Sequence, residues 1–148
     1  MTLLVPYDGS DLSTAALEKA AELSDFRGEE LVVLTVVPND ESFARERGWI
    51  NQGEPFDVEA IQEGLRSRAD GVAPAMTFRS EVVDSNEPTA TPTTNVVRAI
   101  RRVAGEVDAS LVFVGSENAG SVIRPDSSVG GSVASDQAYD VYVVRKLK

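Results

Sequence analysis

The sequence contains neither cysteine nor histidine among its 148 residues. Without cysteine it can form no disulfide, thiolate metal site or cysteine nucleophile. Without histidine it lacks the commonest general base and metal ligand, and a Ser–His–Asp triad is impossible. No apolar run approaches the roughly 20 residues that span a bilayer, and the N-terminus lacks the basic flank and cleavage site of a signal peptide. We therefore expect a cytoplasmic protein with no membrane partner.

Lysine is also scarce, since only Lys19, Lys146 and Lys148 are present. Acidic residues outnumber basic ones by 24 to 14, which gives a formal net charge of −10. A negative field of this size repels nucleic acid, so we expect no nucleic-acid partner. Excess aspartate and glutamate with little lysine is also typical of halophilic proteins, in which high salt screens the self-repulsion. We therefore predict a halophilic, acidic protein.

The length and the 42% of hydrophobic residues predict one domain, spanning residues 1–148, with a substantial core. Apolar runs predict strands at residues 3–5, 31–37, 77–83, 111–114 and 141–144. Apolar residues at three- and four-residue spacing predict three helices. The first starts at a cap on Ser10 or Asp11 and ends at Gly28, and the other two cover residues 58–69 and 96–103. The segments 39–57 and 85–94 are predicted as loops. This alternation indicates an α/β fold: an open parallel sheet with helices on both faces.

Four segments, LVPYDGS at 4–10, VDASLVFVGS at 107–116, GSV at 131–133 and VYVVR at 141–145, resemble the universal stress protein family. The resemblance runs almost from end to end. It implies five parallel strands in the order 3-2-1-4-5 and a homodimer formed largely through the fifth strand. It also implies adenine-nucleotide binding, because a subset of the family binds ATP.

The glycine-rich stretch after the fourth strand resembles the phosphate loop of that subset, in which G-x-x-G is followed after nine residues by G-S or G-T. Gly115 takes the first position. Asn118 stands where the second glycine is expected, and Gly120 can replace it if the loop is two residues longer. The candidates for the remaining phosphate contacts are Gly130, Gly131, Ser132 and Val133. Small residues that lead into a helix present backbone N–H groups to an anion; an ordinary flexible loop with a serine cap is the alternative.

Asp8 follows the first strand, at the sheet edge where ligands bind in such folds. Its carboxylate is a candidate for the nucleotide ribose or for a nucleotide-bound Mg²⁺, because Mg²⁺ prefers oxygen ligands. The alternative is that Asp8-Gly9-Ser10 is only a turn and helix cap. Pro6 and Val36 match family positions that pack against adenine and sugar, although packing at the strand ends is an equally good explanation.

The last strand contains Val141, Tyr142, Val143 and Val144, and an apolar edge strand favours pairing with a second copy. Trp49 and Phe56, in the polar segment 39–57, could form a lid or a partner contact, although such residues more often pin a loop to the core.

No residue is placed as a dedicated catalytic base, and neither G-x-x-x-x-G-K-[ST] nor G-x-G-x-x-G follows the first strand. We therefore predict a regulatory, non-enzymatic domain that binds ATP and acts through its dimer or an unidentified protein partner; slow ATP hydrolysis stays open. The alternative is a nucleotide-free homodimeric stress-response module with a degenerate glycine loop.

Overall fold

The computed structural model describes residues 1–84, 92–115 and 139–145. The strands are β1 (Thr2–Pro6), β2 (Glu30–Pro38), β3 (Thr77–Val83), β4 (Ala109–Gly115) and β5 (Asp140–Val144). The helices are α1 (Asp11–Arg27), α2 (Glu41–Glu46), α3 (Val58–Val72) and α4 (Pro92–Glu106). The five strands form one sheet in the order β3-β2-β1-β4-β5, and every neighbouring pair is parallel. The predicted α/β class, strand order and parallel sheet are confirmed.

Alternate residues of β1 pack on opposite faces of the sheet. Leu3 and Val5 belong to a core that includes side chains of α1 and α3, such as Leu17 and Leu65. Leu4 belongs to the second core, which includes side chains of α4. Each strand at the sheet centre is therefore covered on both faces, as its unbroken apolar sequence predicts.

Helix α1 begins and ends with clear capping groups. Ser10 is the N-cap, and its Oγ accepts a hydrogen bond of 3.2 Å from the backbone N–H of Ser13. Gly28 is the C-cap in a left-handed conformation (φ 65°), and its N–H donates to the carbonyl of Ser24 at 2.8 Å. These caps direct the chain from β1 into α1 and from α1 into β2, which fixes the loop after β1.

Two predicted loops are shorter than the sequence suggested. The segment 39–57 contains α2, for which Asp40 is the N-cap and accepts a hydrogen bond from the N–H of Phe43 at 3.0 Å. Helix α4 begins at Pro92, inside the predicted loop 85–94. Proline fits the first turn of a helix because its fixed φ suits the helix and its missing N–H would have no helical partner there.

Candidate functional site

A cleft opens at the carboxyl ends of the central strands. Its floor comes from the ends of β1, β2 and β4, its walls from α4 and from the segment that contains α2. The lining residues are Pro6, Tyr7, Asp8, Ser13, Leu34, Val36, Phe43, Arg47, Trp49, Val96, Val97, Ile100, Val114 and Gly115. The strand order reverses between β1 and β4, which is where ligands bind in open parallel sheets.

The loop that carries Asp8 is tied to β2 by backbone and side-chain hydrogen bonds. The N–H of Tyr7 donates to the carbonyl of Leu34 at 2.8 Å, and Thr35 Oγ1 donates to the carbonyl of Tyr7 at 3.1 Å. Thr35 is fully buried, so its hydroxyl satisfies a carbonyl that has little access to water. Asp8 therefore projects from a fixed backbone.

Gly9 continues this loop in a left-handed conformation with φ of 82°. Its carbonyl accepts a hydrogen bond of 2.7 Å from Arg68 Nη2 on α3. A Cβ at this position would lie 2.6 Å from Arg68 Nη1 and 3.1 Å from Leu65 Cδ2. The left-handed backbone conformation therefore favours glycine, and a larger residue would also require the flexible end of the Arg68 side chain to move.

The two carboxylate oxygens of Asp8 have different partners. Oδ1 accepts a hydrogen bond of 2.9 Å from the backbone N–H of Ser10, and Oδ2 forms an ion pair with Arg47 Nη1. The Asp8 side chain is 20% exposed and the Arg47 side chain 32%. The pair is thus partly shielded from water, so its attraction exceeds that of a fully exposed ion pair.

The segment after α2 crosses to the same loop. Trp49 Nε1 donates a hydrogen bond of 2.8 Å to the carbonyl of Asp8. The Arg47 guanidinium carbon lies 4.8 Å from the centroid of the Phe43 ring, and the rings of Phe43 and Trp49 are 5.6 Å apart. Trp49 and Phe56 are partly buried against the first core. Trp49 therefore pins this segment to the end of β1, the more common of the two roles considered for it.

The Asp8 carboxyl is held in its ionised form. Burial alone would raise its pKa, but hydrogen bonds from Ser10 and Ser13 and the positive charge of Arg47 together outweigh burial and hold the pKa below its ordinary value of 3.8. At neutral pH the described part of the cleft therefore contains one carboxylate acceptor, paired with Arg47, beside apolar walls.

The proposed contact between Asp8 and a nucleotide-bound Mg²⁺ stays a prediction. Each Asp8 carboxylate oxygen accepts one hydrogen bond, one of them from the cationic Arg47, and Asp8 is the sole acidic residue that lines the described part of the cleft. Within residues 1–84, 92–115 and 139–145, no group of three acidic side chains is arranged to hold a metal ion.

The structure brings together four of the residues predicted from the sequence: Pro6, Asp8, Val36 and Gly115 all line the cleft. The other predicted phosphate contacts lie outside the described residues: Asn118, Gly120, Gly130, Gly131, Ser132 and Val133.

Sequence reasoning missed the side chains that face these four. Arg47 and Phe43 belong to the predicted loop 39–57, in which a role was considered only for Trp49 and Phe56. Val96 and Ile100 served only to predict a helix. Asp40 followed by Glu41, a capping residue and an acidic first-turn residue, is the signal that could have located α2.

Strand β5 lies at the end of the sheet order, with β4 as its neighbour. Tyr142 is 43% exposed and stacks on Phe113, with 5.0 Å between ring centroids, while Val144 is buried. The predicted homodimer interface is therefore a partly apolar edge, and the dimer itself stays a prediction.

None of the helices in the described parts of the chain is long and apolar enough to cross a membrane.

Comparison with known proteins gives a consistent result. Residues 1–145 match the model of the Universal stress protein family. A search of curated proteins finds no match. A universal stress protein solved in complex with cAMP is 24% identical, with a TM-score of 0.51 and coverage of 98% of this chain and 96% of that one. One from Archaeoglobus fulgidus in complex with dAMP is 20% identical, with a TM-score of 0.56 and 98% of both chains covered. Universal stress protein UspA from Lactobacillus plantarum is 19% identical, with a TM-score of 0.53 and coverage of 98% and 97%. At these identities the structures establish a shared fold.

Proposed function

Because the chain belongs to the universal stress protein family, we propose that it is a regulatory domain that binds an adenine nucleotide in the cleft beside Asp8. The observation that carries this proposal is one ionised carboxylate beside apolar walls at the point where the strand order reverses. Two proteins of similar fold were solved with cAMP and dAMP, which favours an adenine nucleotide here.

The cleft has suitable chemistry for the two halves of a nucleoside. Pro6, Val36 and Ile100 offer apolar surface to a flat base, and burial of such a base is favourable in proportion to its apolar area. Asp8 offers a charged acceptor to the sugar hydroxyls, and hydrogen bonds to charged groups are about twice as strong as neutral ones. We take ATP as the first nucleotide to test, and Gly115 with the glycine-rich stretch after it as the partner of its phosphates.

Binding can be measured through the intrinsic fluorescence of Trp49, the only tryptophan in the chain, because its indole lines the cleft. We expect ATP to change this emission saturably with one site per chain, and Asp8→Asn to weaken binding about tenfold. Glu63→Gln, which makes the same change in charge on an exposed part of α3, is the control. Calorimetry in high and low potassium chloride provides a second readout. A folded protein that shows no saturable binding in either salt would refute the proposal.

A second function is favoured by the edge strand β5: a nucleotide-free homodimeric interaction module. The exposed Tyr142 and the position of β5 at the end of the described sheet suit pairing with a second copy. Light scattering distinguishes the two proposals when it is combined with the titration. A dimer that binds no nucleotide, and that Tyr142→Lys converts to a monomer, would support the interaction module. Neither proposal assigns an enzymatic step; the cytoplasmic location and halophilic origin stay predictions.

A further inference from the structure

The charge of the cleft is unusual for a site that would receive a phosphate. The chain carries a formal net charge of −10, so its long-range field opposes the approach of an anion. Among the described residues that line the cleft, Arg47 is the sole cation, and its charge is balanced by Asp8. Whether a phosphate binds near this wall therefore depends on whether Arg47 stays paired with Asp8.

Arg47 is anchored in ways that do not depend on Asp8. Its backbone N–H donates to the carbonyl of Phe43 at 3.0 Å, and the N–H of Trp49 donates to the carbonyl of Ala44 at 3.0 Å. Its guanidinium lies over the Phe43 ring, 4.8 Å from the ring centroid, where the planar cation is attracted to the aromatic face. If Asp8 took another partner, these contacts would keep the guanidinium at the wall of the cleft.

A bound sugar would compete with Arg47 for the carboxylate. Oδ1 of Asp8 is already occupied by the N–H of Ser10, whereas Oδ2 is paired with Arg47. A sugar hydroxyl that donates to Oδ2 would displace the guanidinium and leave a partly shielded cation without its counter-ion. A phosphate group on the same ligand can supply the missing negative charge, in the geometry that guanidinium groups favour.

We propose that Arg47 is a specificity-determining residue that exchanges Asp8 for a ligand phosphate, so that the cleft selects nucleoside phosphates over nucleosides. This inference rests on the proposed nucleotide site and adds the group that discriminates between its ligands. It also gives the Asp8–Arg47 pair a role: the two charges neutralise each other until a ligand binds, and the pair is then replaced by two ligand contacts.

The test is calorimetry of the full chain with adenosine and with AMP, for the natural sequence and for Arg47→Gln. We expect the natural protein to bind AMP at least tenfold more tightly than adenosine. In Arg47→Gln, AMP affinity should fall about tenfold or more, because one charge-assisted contact is lost. Adenosine affinity should stay the same or rise, because Asp8 no longer has a competing partner. Arg47→Lys should restore part of the preference for AMP.

Arg45→Gln is the matched control, because Arg45 lies in α2, two residues before Arg47, but pairs with Glu41 and with the carbonyl of Asn51, away from the cleft lining. It should leave both affinities unchanged. Equal loss of AMP and adenosine affinity in Arg47→Gln would overturn the inference and assign Arg47 a purely structural role, while the nucleotide site would stand. An unchanged preference for AMP in that variant would also overturn it. If the natural protein bound neither AMP nor ATP, the proposed function would fail together with the inference.

Discussion

Replacing Asp8 with asparagine would remove the negative charge of the cleft while keeping the shape of the side chain. The asparagine carbonyl can still accept the hydrogen bond from Ser10, but its other group is an NH₂ that faces the donors of Arg47. The lost interaction is a partly shielded ion pair, which is stronger than an exposed pair at ~0.2–1 kcal/mol and comparable with a hydrogen bond to a charged group at ~1.5–3 kcal/mol. We therefore expect Asp8→Asn to lower the free energy of unfolding by about 1–2 kcal/mol at pH 7.

The pH dependence provides an independent check on this explanation. Folding lowers the pKa of Asp8 below its ordinary value of 3.8, so the unfolded chain takes up a proton at higher pH than the folded chain does. The stabilisation is therefore complete above the ordinary pKa and is lost as pH falls through the lower, folded value. We expect the difference in the free energy of unfolding between the natural protein and Asp8→Asn to be constant from about pH 5 to about pH 8. This difference should shrink as the pH falls below 3.8, the ordinary pKa of the group.

Urea denaturation followed by circular dichroism measures both effects, because urea does not screen the ion pair as guanidinium chloride would. Glu63→Gln corrects for the general benefit of removing one negative charge from an acidic chain. A double-mutant cycle with Arg47→Gln isolates the pair. The reasoning would be refuted if Asp8→Asn were as stable as Glu63→Gln at pH 7, or if the difference did not narrow in acid.

Two further substitutions test the loop that carries Asp8. Gly9→Ala should cost more than the ~1–2 kcal/mol of a left-handed non-glycine residue, since its Cβ would also displace the Arg68 guanidinium on α3, which donates to the Gly9 carbonyl. Gly53→Ala, with φ of 89° and open space around it, should show the backbone cost alone; equal denaturation midpoints would contradict the contact with α3. Thr35→Val should cost ~1–3 kcal/mol in the same assay, because the carbonyl of Tyr7 loses its buried donor. An unchanged stability would mean that this hydrogen bond contributes nothing.

The sequence allowed the central part of the fold to be predicted because its signals are local. The run from Leu31 to Val37 has no polar face, which requires burial on both sides, and every one of its residues is buried. Ser10 and Gly28 mark the two ends of α1 by side-chain and backbone chemistry that acts within one turn. The edge position of β5 and the order of the strands, in contrast, came from the family resemblance.

The wall of the cleft could not be predicted in the same way. Helix α2 has only six residues, too few for a periodic apolar pattern to stand out. The ion pair between Arg47 and Asp8 joins residues 39 positions apart, and their meeting depends on how α2 packs after β2. A prediction of Asp8 as a site residue was therefore possible from its place after a strand, whereas its partner became visible only in three dimensions.

The position of β1 in the middle of the sheet has a consequence for how the protein is made. Leu3 pairs with Leu31 on one side and with Leu111 on the other, so both edges of β1 are satisfied only after the much later strand β4 has been made and has joined the sheet. Until then β1 is an open edge, and contacts between such distant residues form slowly. The floor of the cleft also depends on the pairing of β1 with β4, because Asp8 follows β1 and Gly115 ends β4. A ligand held between them would bind only after β1 and β4 have paired, and it would stabilise that pairing.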